Sequence, residues 1–467
     1  MRPEINRTAL ALVLLCLILA SAFSLFVALE RPSWPYSFDY SDAVVSNSGL
    51  GVLYKSFATY PYVMTYYPPL FYLIMDALNY AFPVSQPYFY ERLITLAATL
   101  VDLALLYIVT RKVTKGGRAL ALIAPLLFAS SYLIVKLGAS CRPVMPELLF
   151  DLLAICLILE SGEGKKRSGR VACSAAAMVV SLFFWQSSAI LFCAMAAYLA
   201  LNERLADAKL FVACYLAIAI PLIVAVSAFT GGRFFFSVFI LPLITPLDLG
   251  ALPWMLFVFL LESWLVPMLF FVLYYITRNA KSLISLATMS SVIYVASAAK
   301  LGASDNYFVV FLALCCVAAA SGAQEFFGRA GAKAKTLAAA CVMGSLLFMV
   351  SNVSYYGMAY PFHISNASSV GINLRNVTGQ ILVEDPAAAV AADKAVLFEP
   401  SMFWVMQQRG LWNDSQMASD IRAKRFATIA FPVGGGRFGY YPAIMAAINA
   451  SYRINRTEFG WQVYAPS

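Results

Sequence analysis

Long apolar runs, separated by short polar loops, fill the first three quarters of the chain. Apolar runs of about 18 or more residues are long enough to cross a bilayer. The pattern predicts eleven spans, at 9–29, 91–110, 119–137, 144–161, 171–185, 188–202, 208–229, 251–277, 282–299, 307–326 and 336–356. The two shortest, 171–185 and 188–202, also read as one broken hairpin. A twelfth apolar stretch, 66–82, is read as an outer helix lying in or dipping into the interface.

The basic residues decide that reading. With the N-terminus inside, the inner loops hold seventeen Lys and Arg, among them Arg111, Lys112, Lys166, Arg170, Arg204 and Arg278, and the short outer loops four: Lys136, Arg142, Arg233 and Lys300. Positive residues accumulate on the cytoplasmic side, and counting 66–82 as a span would invert the pattern. The first span exceeds a signal-peptide core and no small-residue cleavage site follows it, so it is retained. An odd span number puts residues 357–467 outside.

Composition agrees. Of 467 residues, 61% are hydrophobic and 12% charged, and mean hydropathy is +0.76. Soluble domains are about half apolar and about a quarter charged, so a water-soluble enzyme and a disordered chain are both excluded. The net charge of +9 then reflects topology rather than nucleic-acid binding. Eight of nine cysteines lie within apolar spans and no CxxC spacing occurs, which argues against a disulfide framework and a zinc site. With His363 the single histidine, mechanisms needing a His dyad fall away.

The tail carries its own signal. From Asn352 onward six of seven asparagines begin N-x-[S/T]: Asn352, Asn366, Asn376, Asn413, Asn449 and Asn455. Glycosylation of an outer domain explains this; the alternative is a polar segment rich in Ser and Thr by chance. Glycosylation would fit an archaeal or eukaryotic host better than an ordinary bacterium. Residues 396–398 and 428–431 read as short buried strands and 415–424 as a polar-faced helix, giving a small α/β domain. Gly434, Gly435 and Gly436 form a loop without a P-loop pattern.

Candidate chemistry concentrates in the first outer loop, residues 31–90. It contains Asp39-Tyr40-Ser41-Asp42, then Tyr66-Tyr67-Pro68-Pro69-Leu70-Phe71-Tyr72, and it leads into Glu91-Arg92-Leu93. Carboxylates at i and i+3 share one face of a helical turn and, at the rim of a membrane, could take a proton from an incoming hydroxyl. The same spacing equally suits a helix cap.

At these residues the chain resembles the GT-C superfamily of membrane glycosyltransferases, the fold of protein O-mannosyltransferases and of aminoarabinose or mannose transferases. The order of a first span, an outer loop with D-Y-x-[acid], a Y-P-P-L-x-Y-L stretch and an Arg-Leu opening the second span carries the likeness. Arg142-Pro143 before the span at 144–161, Gly302 to Phe308 before a late span, and the tail segments 381–386, 404–412 and 464–466 extend it over nearly the whole chain. Within it, Asp42 stands where Glu is frequent, and Trp185-Gln186-Ser187 where Lys-Gln-Thr is common.

The resemblance implies a GT-C fold of about eleven transmembrane helices. The division is a catalytic membrane domain over 1–356, including outer loop 31–90, and an extracytoplasmic α/β domain over 357–467. It implies transfer of a sugar from a polyprenyl or dolichyl phosphate to a hydroxyl or amide of a glycan, lipid or protein on the outer face of a prokaryotic, archaeal-type cell membrane, with inversion. Asp39 is then the expected base, with Asp42 as helper or alternate. Arg92, Arg142 and Lys300 would hold the donor phosphate, where snorkelling to the interface is the competing explanation. Tyr66, Tyr67, Phe71, Tyr72, Asn306 and Tyr307 would line a sugar or lipid groove, where an interfacial aromatic belt competes. No cofactor, nucleic acid or metal is expected, because two aspartates supply too few oxygens for a divalent ion. Buried Asp102 and Asp151 leave room for a secondary transporter or lipid flippase, although no paired halves are visible. A non-catalytic subunit of a glycan-assembly complex is the third alternative.

Overall fold

The computed structural model describes residues 7–46, 53–114, 118–162, 166–263, 265–329, 331 and 364–467. Ten of the eleven apolar segments contain helix. The eleventh, 336–356, lies outside the described residues, as do Asn352 and His363. Among the described residues, five helices are long and apolar enough to cross a membrane: Leu14–Ser33, Phe89–Thr114, Arg167–Phe184, Leu205–Phe229 and Asp305–Arg329.

Two expected spans are interrupted. The segment 119–137 becomes Arg118–Ala121, Ile123–Ser130 and Tyr132–Leu137, the last break falling at Ser131, whose extended backbone (ψ 135°) cannot continue a helix. The segment 251–277 becomes Leu252–Glu262 and Leu265–Arg278, parted at extended Ser263. Apolar content runs straight through both breaks, so hydropathy reports one span where the backbone makes several helices. The turn Gln186–Ser188 separates Arg167–Phe184 from Ala189–Leu201.

The chain divides into two compact units. The first comprises Met1–Arg31, Leu93–Val226 and Leu247–Pro361, and its regular elements among the described residues are all helices. Val144–Glu160 pairs with Arg167–Phe184, and Leu265–Arg278 with Val309–Arg329. Gly322 permits the second crossing: a Cβ there would lie 2.1 Å from the Phe271 carbonyl oxygen. Along Leu205–Phe229 the buried residues Asp207, Ala208, Phe211, Tyr215 and Ala219 recur about every fourth position, while Ile220, Val224 and Phe229 stand exposed, as a lipid-facing helix requires.

The second unit comprises Pro32–Arg92, Ser227–Pro246 and Phe362–Ser467. Its sheet contains β1 (Ile381–Val383), β2 (Thr428–Pro432), β3 (Tyr452–Glu458) and β4 (Trp461–Pro466) in the order β1-β2-β4-β3. β1 runs parallel to β2, with Leu382 opposite Ile429. β2 and β3 each pair antiparallel with β4, and β3 bulges between Ile454 and Arg456. The expected strand at 428–431 and helix at 415–424 form as β2 and Ser415–Arg422. The expected strand at 396–398 does not: Phe398 makes an isolated bridge to Tyr62, and the parallel strand is 381–383 instead. The outer helix expected in 66–82 forms as Leu70–Ala81. Phe398, Phe403, Trp412, Phe431, Phe438 and Tyr441 build an aromatic core, with Phe398 and Trp412 stacked at 5.9 Å.

Candidate functional site

Helix Tyr40–Ser46 explains the geometry of both candidate carboxylates. Asp39 is its cap: Oδ1 accepts the Asp42 N–H at 3.0 Å, and Asp42 Oδ2 accepts the Phe38 N–H at 3.3 Å. This near-reciprocal arrangement satisfies amides that a helix start leaves open. The capping alternative is therefore realised in Asp39, while Asp42 holds the amide of the preceding loop, and their environments separate them further. Asp42 is 1% exposed, and its Oδ2 lies 3.2 Å from Arg92 Nη2. Asp39 is exposed.

Arg92 is fully buried. Its guanidinium donates to the Trp34 and Tyr36 carbonyls as well as to Asp42, and it lies 4.3 Å from the Phe38 ring centroid and 4.8 Å from that of Tyr88. Its contacts fix the loop 34–42.

Tyr66 and Tyr67 are half-buried. The Tyr66 hydroxyl donates to Glu399, and the Tyr67 carbonyl accepts from Tyr54 at 2.7 Å. Phe71 and Tyr72 are completely buried, in contact with each other edge to face at 6.2 Å. The four aromatics thus fall into two layers, one partly open and one internal.

Within the second unit the tail adds residues that no local pattern announces. The Tyr40 hydroxyl donates to Glu399 Oε1 at 2.6 Å. The Arg437 guanidinium lies 4.0 Å over the Tyr40 ring and bonds Glu384 Oε1 at 2.9 Å. Asp385 caps Pro386–Ala391 through the Ala387 N–H at 2.9 Å. Burial pushes its carboxyl up to about 6; the Ala387 N–H and Arg437 oppose this, while Glu384 and Asp39 add to it. Glu399-Pro400 was readable as a helix start, but nothing in sequence joins it to Tyr40, 359 positions away.

The other candidate cations belong to the first unit. Arg142, 2% exposed, donates to Ser304 Oγ at 2.6 Å and lies 3.4 Å from Asp305 Oδ1. Lys136 bridges Glu262, at 3.0 Å, and Asp305. Asp305 and Glu262, neither expected as site residues, therefore neutralise Lys136 and Arg142. Lys300 differs. It is half-buried, burial lowers its pKa, and no ion pair to it occurs among the described residues. Asn306, 3% exposed, accepts from Ser304 Oγ at 3.0 Å, and Tyr307 meets Trp185 edge to face at 5.0 Å.

Deeper in that unit, Asp151 accepts from Ser181 Oγ at 2.6 Å and Glu147 from Ser187 Oγ at 3.2 Å. Asp102 is fully buried, and neither carboxylate oxygen has a hydrogen-bond partner among the described residues. Asn366, Asn376, Asn413, Asn449 and Asn455 are all exposed.

The chain shares its fold with two solved membrane proteins. No family model matches the chain, and no curated protein matches it in sequence; the likeness is one of structure. ArnT from Cupriavidus metallidurans in the apo state superposes with a TM-score of 0.62 at 13% identity, over 97% of either chain. The same protein bound to undecaprenyl phosphate gives 0.61 at 12% identity, over 97% of this chain and 98% of that one. The archaeal oligosaccharyltransferase AglB from Archaeoglobus fulgidus, in complex with an inhibitory peptide and a dolichol-phosphate, gives 0.57 at 12% identity, covering 98% of this chain and 74% of that one.

Proposed function

We propose that the protein is a multi-pass membrane glycosyltransferase that moves a sugar from a polyprenyl phosphate to an acceptor hydroxyl or amide on the extracytoplasmic face, with inversion and Asp39 as general base. The observation that carries the reading is the division of labour in Asp39-Tyr40-Ser41-Asp42. Asp42 is buried on Arg92, whereas Asp39 is exposed on the same helical turn. A general base must reach the proton that it removes, and exposure gives Asp39 that reach. The fold, shared with proteins whose structures hold undecaprenyl phosphate and a dolichol-phosphate, supports the donor class.

The steps balance without a cofactor. Asp39 takes the acceptor proton as the acceptor atom attacks the anomeric carbon. The bond from that carbon to the phosphate oxygen breaks, and the lipid phosphate leaves with the extra charge. Preorganised cations stabilise such developing charge. Lys300 is assigned to it, because Arg142 and Lys136 are already neutralised by Asp305 and Glu262. Arg92 is assigned to holding Asp42, and Tyr66 and Tyr67 to the partly open wall.

Purified protein incubated with radiolabelled undecaprenyl- and dolichyl-phosphate sugars and host membranes should transfer label from at least one donor. Failure with every donor removes the proposal. The exposed sequons are proposed to carry glycans in the native host; unchanged gel mobility after glycosidase treatment would count against that. One observation favours a transporter, namely the unsatisfied carboxylate of Asp102 inside a membrane helix. Substrate uptake into proteoliposomes that depends on Asp102 would support it.

A further inference from the structure

We propose that Glu399 and Arg437 are positioning residues that clamp Tyr40, and through it hold Asp39 in the orientation for transfer; this rests on the reading of Asp39 as base.

Glu399 is 1% exposed, and no ion pair to it occurs among the described residues. Its carboxylate instead gathers four neutral donors: the Tyr40 hydroxyl at 2.6 Å, the Tyr66 hydroxyl, and the N–H groups of Ser401 at 3.0 Å and Met402 at 3.2 Å. The two amides belong to the start of helix Pro400–Gln408, and capping explains them. Capping does not explain the two phenols, which come from separate motifs of the first outer loop. A buried carboxylate without a cation is costly, and an apolar side chain would fill the space more cheaply. Hydrogen bonds from both phenols lock the register of the two loop motifs against one carboxylate. Backbone pairing sets Glu399 there: Tyr62 N–H donates to Leu397 O and Glu399 N–H to Tyr62 O, both at 2.8 Å.

Arg437 holds the same ring by its face, with Cζ 4.0 Å from the centroid, a favourable cation–π distance. Glu384 fixes the guanidinium, and glycine at 436 lets the loop approach Glu384 closely. Gly436 has φ +52°, and a Cβ there would sit 2.1 Å from Glu384 Oε2. Tyr40 is thereby constrained at hydroxyl and face together. It directly follows Asp39, whose Oδ1 caps the same turn, so a rotation of Tyr40 re-aims the Asp39 carboxylate. Burial and the Glu399 charge push the Tyr40 phenol well above its ordinary pKa, which keeps it a neutral donor across the working pH range.

The test uses the full chain in detergent with the donor chosen from a radiolabelled undecaprenyl- and dolichyl-phosphate sugar panel, comparing Tyr40→Phe, Glu399→Gln, Arg437→Gln and Asp39→Asn. Tyr40→Phe removes a single hydroxyl, and its melting midpoint checks that the fold is kept. The first three variants should lose about 10- to 100-fold in kcat, as misplacement of a reacting group by about 1 Å does, with donor KM within twofold. Tyr40→Phe combined with Glu399→Gln should be no slower than Glu399→Gln alone. Amide hydrogen exchange over residues 40–46 should rise several-fold in these variants and stay unchanged over Ser415–Arg422. If Asp39→Asn abolishes transfer while Tyr40→Phe and Glu399→Gln keep kcat within twofold, the clamp is refuted. If Asp39→Asn keeps parental kcat, the base reading fails instead, and unchanged exchange over 40–46 would still refute the clamp.

Discussion

Removing the Asp42 carboxylate should damage the fold rather than the chemistry. In Asp42→Ala the buried guanidinium of Arg92 loses the partner 3.2 Å away, and the Phe38 N–H loses its acceptor. Breaking a buried ion pair from one side costs about 3–5 kcal/mol. The Trp34 and Tyr36 carbonyls and the flanking rings remain with Arg92, which places the expected loss near the low end, at about 3 kcal/mol. For a unit of about 190 residues that corresponds to roughly 6–12 °C in the melting midpoint, at about 2–4 °C per kcal/mol. The assay is fluorescence-monitored melting of the detergent-purified protein at a fixed scan rate. Asp42→Leu with Arg92→Met should recover most of the loss, because replacing both partners removes the stranded charge. Asp39→Asn should melt within about 0.5 kcal/mol of the parent, since Asn caps as well as Asp. An Asp42→Ala midpoint equal to the parent's, or an Asp39→Asn midpoint as low as that of Asp42→Ala, would refute the assignment of anchor and exposed group.

Three further outcomes are expected. Because Asp385 titrates near 6 in the folded chain against 3.8 ordinarily, the fold binds its proton more tightly, so stability falls as pH rises between about 4 and 6. Asp385→Asn keeps the cap and escapes that loss, gaining up to about 3 kcal/mol above pH 6 and nothing at pH 4; parallel stability curves for parent and variant would contradict this. Lys300→Ala should weaken donor use about 10- to 150-fold in kcat/KM, the equivalent of a charge-assisted hydrogen bond of about 1.5–3 kcal/mol, with melting unchanged; unaltered donor kinetics would remove Lys300 from the phosphate. Asp102→Leu deletes a buried carboxylate without hydrogen-bond partners, so it should stabilise by about 1–3 kcal/mol and keep transfer; loss of transfer in a well-folded variant would give Asp102 a functional part.

The membrane helices were legible because lipid imposes a simple requirement of length and apolarity. Their breaks at Ser131 and Ser263 were not, since one extended residue inside an apolar run leaves hydropathy unchanged. In the tail, 396–398 and 381–383 are both short apolar triplets, and pairing with β2 decides between them. β3 lies at the sheet edge with five exposed positions, so burial imposes no apolar run there. Its hairpin turn places Phe459 at φ +50° before Gly460 at +74°, where sequence rules look for Asn or Asp before Gly. The Asp39/Asp42 pair stood out by spacing, but its division into exposed and buried members came from Arg92, fifty positions from Asp42. Glu399, Arg437 and Asp385 act on the first loop across more than three hundred residues, and no local pattern encodes such a contact.

The most direct test of the central claim is the single-turnover rate of sugar transfer by Asp39→Asn at saturating donor. The substitution preserves the helix cap and removes only the proton acceptor. Loss of a general base lowers the rate by about 10²- to 10⁴-fold, and a fall of that size with an unchanged melting midpoint is the expected result. Transfer at the parental rate by the folded variant would show that another group takes the proton.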